Sequence, residues 1–465
     1  MDAKQAFENM PVARAVLVNA VPAVLSMLVT LVYNVADTFF IGQTGDEMQV
    51  AAVSLGTPVF LLFMAIGTLF GMGGTSVISR AFGEGKEDFA RTVSSFCFWM
   101  SVFAGVLCIL VFLFGMDYIL QWIGASGNTE GYARSYLLYI AWSAPFVIIS
   151  TAFSNIVRAE GKSTEAMNGV LIGTLLNIVL DPVFILWLGY GIAGAAWATV
   201  IGYAVATAYY IFLLAGNRSR LTFSMRCFNM KKETAGPVFA IGIPASLNCI
   251  MMSVSTIILN ICLVAYGDHV VAAMGVASKV IMMVVLVQLG LGQGIQPLLG
   301  YNYGARRWDR FKAVMRFSCL VGLCMGVVLT LLCGVFSEEL VGWFIDSDGI
   351  REYGTSFVRI LLLSGPVIGI LFIYINVLQA VGAAGYSFLL SISRQGIIFI
   401  PCLLLFNRLF HLDGVVAAQP VADILSLLLA VWLFLRTEKK IIKKFSVGHG
   451  LTYGSGGSGT RHAVL

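Results

Sequence analysis

Hydrophobic residues along this chain come in long, nearly uncharged runs, separated by short polar stretches that hold most of the charge. The runs fall at roughly 15–40, 51–78, 93–115, 132–155, 167–187, 191–215, 237–262, 273–299, 313–336, 354–378, 387–407 and 414–435. Each is about 20 residues or longer, the length an α-helix needs to cross a hydrocarbon layer of about 30 Å. Backbone in hydrocarbon must satisfy its own hydrogen bonds, so the pattern predicts twelve membrane-spanning helices. The cut between the fifth and sixth rests on Gly189-Tyr190-Gly191 alone. The first run is too long for a cleavable signal peptide and leads straight into the second.

Composition agrees. Of 465 residues, 58% are hydrophobic and 11% charged, against about 25% charged in soluble domains. The basic residues are one-sided. With the N-terminus inside, the inner segments hold 22 Lys and Arg, and the outer ones hold Arg134, Arg351 and Arg408. That bias predicts both termini in the cytoplasm. The net charge of +5 belongs to loops facing an anionic leaflet, so membrane lipid is an expected partner and nucleic acid is not. The nine cysteines lie almost wholly within spans and show no CxxC pair, and the four histidines are scattered. Neither a disulfide framework nor a zinc site is expected.

The chain also repeats itself at an offset of about 221 residues. Pro22 answers Pro244, Gly71 and Gly73 answer Gly292 and Gly294, and Gly83, Asp88 and Arg91 answer Gly304, Asp309 and Lys312. Ser143-Ala144-Pro145 answers Ser364-Gly365-Pro366, and Asn155, Ala159 and Gly161 answer Asn376, Ala380 and Gly382. Six spans per half with the same sense give a parallel repeat about an axis along the membrane normal. The expected fold is all-α and integral to the membrane, with two pseudo-symmetric six-helix lobes around a central cleft. Residues 1–216 form the N-lobe, 217–236 a cytoplasmic linker, 237–440 the C-lobe, and 441–465 a flexible polar tail rich in Gly and Ser.

Against this apolar background, the intramembrane acids carry the chemistry. A carboxylate at mid-bilayer costs at least about 2.5–3.5 kcal/mol on insertion scales, so it is rarely idle. Asp37 shares a helix face with Tyr33 and Asn34, Asn177 with Asp181, and Thr199 with Tyr203. Counting from the span ends places these groups at roughly 5–13 Å from the outer boundary. Together they offer oxygen ligands to a small hard cation such as Na+, or two acids able to share protons. A set of separately capped polar residues is the plainer reading. Asp423, in the twelfth span, fits substrate contact or structural pairing with one of Lys279, Arg359 and Arg394. Pro22 removes a backbone hydrogen bond fifteen residues before Asp37, either as a hinge or as a static kink. Met64, Met251, Met252, Met282 and Met283 either line a permissive cavity or simply pack.

Enzyme signatures are missing: there is no GxSxG, HExxH or phosphate loop, and Gly71-Met72-Gly73-Gly74 falls inside a span. An intramembrane enzyme built on paired aspartates is the remote reading.

Taken together, these residues resemble the multidrug and toxin extrusion (MATE) family over about residues 10–440. The resemblance rests on Asp37 followed by Phe39-Phe40-Ile41-Gly42, the Gly83 loop, and Arg158-Ala159-Glu160-Gly161-Lys162. It rests also on Asn177-Ile178-Val179-Leu180-Asp181-Pro182 and Gly191-Ile192-Ala193-Gly194-Ala195-Ala196. It implies an antiporter in the bacterial cytoplasmic membrane, acting as a monomer without a cofactor. It would export amphipathic, mainly cationic compounds against H+ or Na+. Coupling would fall on Asp37, Asn177, Asp181 and Thr199, supported by Tyr33, Asn34 and Tyr203, with Pro22 as the bending point. The seventh and tenth spans lack the acids of the NorM-like branch, so the chain looks closer to DinF-like or MepA-like members. A lipid-linked oligosaccharide flippase of the same superfamily is the alternative.

Overall fold

The computed structural model describes residues 5–42, 47–123, 130–216, 219–344 and 348–450. The N-terminal half contains α1 (Val12–Gly42), α2 (Glu47–Gly83), α3 (Glu87–Ile123), α4 (Glu130–Ala159), α5 (Ser163–Pro182) and α6 (Gly191–Ala215). The C-terminal half contains α7 (Lys232–Val264), α8 (Asp268–Gly304), α9 (Trp308–Val335), the short α10 (Ser337–Gly342), α11 (Asp348–Leu361), α12 (Gly365–Ala380), α13 (Ala384–Ile392) and α14 (Phe399–Gly450).

Among the described residues, eleven helical stretches are long and apolar enough to span a membrane. The last, Ala384–Lys439, would be about 84 Å long if straight, far more than one bilayer. It folds back at His411, whose backbone is non-helical at φ 52° and ψ −132°. A Cβ on Gly414 would collide with the carbonyl oxygen of Phe406, a contact that requires the chain to reverse. The expected twelve crossings are therefore present. The weak boundary between spans five and six also holds, because Gly189 and Gly191 both take positive φ, 67° and 54°. That region favours glycine.

Two boundaries differ from expectation. α7 starts inside the expected linker, and α14 runs ten residues into the expected tail; residues 451–465 lie outside those described. The described part of the linker is strapped down rather than loose. Ser95 and Trp99 donate to the carbonyls of Ser224 and Phe223 (both 2.8 Å), and Phe96 stacks on Phe228.

The repeat is visible in the packing. α2 lies on α4 as α8 lies on α12, and α1 on α5 as α7 on α13. Glycines fix these contacts by removing the Cβ where backbones nearly touch. Gly105 on α3 abuts Pro145 of α4, and its counterpart Gly326 on α9 abuts Pro366 of α12, where a Cβ would stand 2.7 Å from the proline Cα. Between lobes, α1 packs on α8, α2 on α7 and α2 on α8. The α2–α8 contact is reciprocal: Gly83 sits against the carbonyl of Tyr301, and Gly304 against that of Arg80. Both lie at the end that carries the basic loops, so the lobes are closed there.

One register breaks the symmetry. On the α2–α7 seam, Gly73 faces Val238 and Gly242 faces Leu69. Since Pro22 answers Pro244, symmetry would bring Val16 to Gly294 and Ala20 to Gly290. Instead Gly294 faces Asn19 and Ala20, and Gly290 faces Ala23 and Val24. α1 is thus displaced along α8 by one helical turn, about 5 Å.

Replacing Gly83 or Gly304 by Leu should force α2 and α8 apart at the basic end and cost about 1–3 kcal/mol from overpacking. A spin-label pair placed across that seam should report a longer distance than in the parent protein. An unchanged distance would mean that the seam yields elsewhere.

Candidate functional site: an oxygen cluster joined to a central cavity

Small residues position the N-lobe cluster. Gly173 on α5 and Gly202 on α6 face each other, each so close that a Cβ would stand 2.8 Å from the other's carbonyl oxygen. One turn on, this approach lets Asn177 Nδ2 reach Thr199 Oγ1 at 3.4 Å, while Thr199 donates to the carbonyl of Ala195 at 3.0 Å. From α1, Tyr33 comes close to Thr199 and lies within electrostatic range of Asp37, Asp181 and Tyr203. Asp37 and Asp181 lie within range of each other. The residues expected to converge are brought together by α1 and, far along the chain from it, the consecutive helices α5 and α6. Tyr136 on α4, which the sequence did not single out, also lies within range of both acids. No pattern marked it, because it is one aromatic among many.

Asp181 is 0% exposed, and neither of its carboxylate oxygens has a hydrogen-bond partner; Asn177 Oδ1 is likewise buried and unpaired. Orphaned buried acceptors are costly. Three such oxygens beside a second carboxylate suit a proton or a small hard cation, and they suit Na+ in donor type. Among the described residues, no group of three or more His, Cys, Asp or Glu is placed to hold a metal ion.

The cluster opens into a cavity of about 560 Å³ between the lobes. Tyr33, Asn34, Asn177 and Tyr203 line one end, and Asn155, Arg158, Gln293 and Asn376 line the other. Met64 and Met282 line its wall. Met251, Met252 and Met283 do not. Met251 lies two residues past the cavity-lining Cys249 and so on the opposite side of α7. Met252 is 46% exposed and Met283 is one residue round from Met282, and neither is among the residues lining the cavity.

Asp423 also lies off the cavity. It is 1% exposed and accepts from Arg394 Nε at 2.9 Å, Ser364 Oγ at 3.2 Å and Gln419 Nε2 at 3.2 Å. Arg394 in turn stacks over the Phe372 ring at 5.0 Å. Structural pairing is therefore where the geometry puts this acid. Of the other two candidate bases, Arg359 donates to Ser337 at 3.1 Å and Lys279 lies over Phe344. Pro22 is buried inside a continuous α1, where Asn19, Ser26 and Thr30 each donate to the carbonyl four residues back. Such back-bonding favours helix bending.

The buried cation that sequence reading missed is Arg158. It counts there as a basic residue of an inner loop, yet it is 2% exposed at the end of α4 and lines the cavity. Its position three residues after Asn155, on the same face, was the available signal.

The MatE family profile matches residues 22–183 and again 244–404, one copy per half. The chain is similar to the multidrug export protein MepA of Staphylococcus saprophyticus, at 31% identity over 96% of this chain and 98% of that one. MepA of Staphylococcus aureus strain NCTC 8325 is 33% identical over 91% and 94% of the two chains. Among solved structures, a crystal structure of MATE in complex with MaL6 superposes with a TM-score of 0.90 at 23% identity, covering 95% of this chain and 99% of that one. The outward-facing conformation of a multidrug resistance MATE family transporter of the MOP superfamily gives 0.88 at 24% identity, with 94% and 99% covered.

If Arg394 and Asp423 form a structural pair, Asp423→Asn or Arg394→Gln should each destabilise the C-lobe by about 3–5 kcal/mol by stranding one buried charge. Arg394→Met combined with Asp423→Leu should recover much of that loss. Thermal unfolding in detergent reads both outcomes.

Proposed function

Since this chain belongs to the MatE family, we propose that it is a cation-coupled antiporter exporting amphipathic, mainly cationic compounds by alternating access across the bacterial cytoplasmic membrane. The observation that carries this reading is the continuity between the oxygen cluster and the central cavity. Tyr33, Asn34, Asn177 and Tyr203 belong to both, so a change of charge at the cluster is felt at the cavity wall. The names of its MepA relatives support export of drugs. With the basic loops cytoplasmic, closure at Gly83 and Gly304 leaves access from the outside.

Transport then follows from differential affinity. H+ or Na+ enters from outside and neutralises Asp181 and Asp37, meeting the orphaned oxygens and removing the repulsion between the two acids. α1, which carries Asp37 and Tyr33, then packs more closely on α5 and α6. Coupling is as strong as the ion's preference for one state over the other, up to about 5.5 kcal/mol for a full reversal of populations. Pro22 and the back-bonding hydroxyls of Ser26 and Thr30 beyond it supply the bending point. Both lobes and the cavity lie in one chain, so a monomer suffices. A flippase for anionic lipid-linked sugars would call for several cavity bases, and among the described lining residues Arg158 alone is basic.

In proteoliposomes with an imposed proton or sodium gradient, Asp37→Asn and Asp181→Asn should each reduce dye transport to the leak of protein-free vesicles. Substrate binding should persist. Normal gradient-driven transport in both variants would refute the coupling assignment.

A further inference from the structure

Arg158 is a buried cation without a counter-charge. Its Nη1 donates to Asn155 Oδ1 at 3.2 Å and Gln293 Oε1 at 3.3 Å, both long beside the 2.7–2.9 Å usual for bonds from a charged donor to a carboxylate. Its Nε is buried with no partner. The nearest acid in sequence, Glu160, is taken by Lys162 at 3.0 Å, Ser219 Oγ at 2.8 Å and the backbone N–H of Arg220. Among the described residues, no carboxylate pairs with Arg158. Two neutral amides do not offset the cost of holding a guanidinium out of water.

Symmetry shows that the architecture does not require this charge. Asn155 and Asn376 are repeat mates, seated on the mates Gly71 and Gly292. At the same offset, Arg158 answers Gln379. That neutral side chain serves its lobe by accepting from Gln296 Nε2 at 3.3 Å. The two halves thus share a floor of amides and glycines, and one half adds a guanidinium to it. Nearby, Asn376 Oδ1 is also buried and unpaired, an acceptor ready for an N–H or O–H. The acid cluster is at the far end: from Ser163, just beyond α4, to Asp181 is 18 residues of α5, roughly 27 Å.

We infer that Arg158 is an anion-binding subsite at the floor of the central cavity, taking the carboxylate of an amphoteric amphiphile. This rests on the cavity being the substrate cavity. The planar fork of a guanidinium matches a carboxylate through two parallel bonds, and among the described residues only its Nη1 is engaged by a protein acceptor. The apolar body of the ligand then lies along the wall at Met64 and Met282. The range of the protein extends in this way from simple cations to zwitterions.

The test uses rhodamine B, a zwitterion with a free carboxylate, and its ethyl ester, a cation of nearly the same shape. Equilibrium binding is measured on the full chain in phosphatidylcholine nanodiscs by fluorescence anisotropy. The parent should bind the acid more tightly than the ester. Arg158→Gln should weaken the acid roughly ten-fold, the worth of one charge-assisted contact, and leave the ester unchanged. Arg158→Lys should retain part of the preference. Ester binding reports that each variant is folded. Equal loss for both dyes, no loss for either, or no binding of the acid to the parent would overturn the subsite. Displacement of the acid by phosphatidylglycerol in the parent but not its ester would overturn it in favour of a lipid headgroup. The export reading fails separately, if a bound dye is not expelled when a gradient is applied.

Discussion

The structure depends on backbone touching backbone where the lobes meet. Lipid is as apolar as the helix surfaces, so burying Leu or Val against a neighbour gains little over leaving it in the bilayer. Close contact is what remains. At Gly83 against Tyr301 and Gly304 against Arg80, the absence of a Cβ lets α2 and α8 approach until only main-chain atoms separate them. Glycine does the same within lobes, at Gly105 and Gly326 and at Gly173 with Gly202. The last pair is what brings Asn177 to Thr199. Packing and site are therefore the same feature of the sequence, read at neighbouring turns.

The two lobes solve one problem differently. Spans eleven and twelve are bridged by Arg394 and Asp423, with Ser364 and Gln419 completing the shell. Spans five and six are bridged by the weaker contact of Asn177 with Thr199, and Asp181 is left with two bare oxygens. A satisfied ion pair holds one arrangement, because separating it strands both charges. A group short of partners holds an arrangement only as firmly as whatever occupies it. On the proposed coupling, the C-lobe would serve as the fixed frame and the N-lobe as the part whose shape follows occupancy.

Much of this was legible in the residues, and the failures have physical causes. Hydropathy marks the twelve crossings because hydrocarbon tolerates little else, and the repeat names its contacts through glycine and proline. Depth counting from span ends was enough to place Asp37, Asp181 and Thr199 together, since helix rise is fixed. Sidedness around a helix was harder. Met282 and Met283 differ by one residue, and only the neighbouring helices decide which meets the cavity. The pairing of Asp423 could be narrowed to three bases but not to one. Arg158 was misread because a basic residue at a span end ordinarily snorkels to water, whereas this one turns inward to Asn155 and Gln293.

The broken register of α1 links these points. A duplicated chain whose halves pack alike should place α1 on α8 as it places α7 on α2, just as the α2–α8 contact is reciprocal at Gly83 and Gly304. α1 alone is one turn out, and α1 carries Asp37 and Tyr33. The glycines it crosses, Gly290 and Gly294, are four residues apart on α8, so a slide of one turn exchanges one glycine for the next and meets an equivalent groove. Packed interfaces of that kind have discrete settings rather than a continuum. Its foot is tied meanwhile: Arg310 donates to the carbonyls of Phe7 and Met10 at 2.9 and 2.7 Å, and Tyr301 to Glu8 at 2.6 Å. A helix held at its base, lying in a groove with two equivalent settings and bearing an acid near its tip, can take up a shift only in between. For a slide of Asn19–Val24 over the two glycines, that is the stretch between Met10 and Asn19; a bend that moves only the half of α1 bearing Asp37 falls instead at Pro22, Ser26 and Thr30, where hydrogen bonds from side chains to the carbonyls four residues back already loosen the helix.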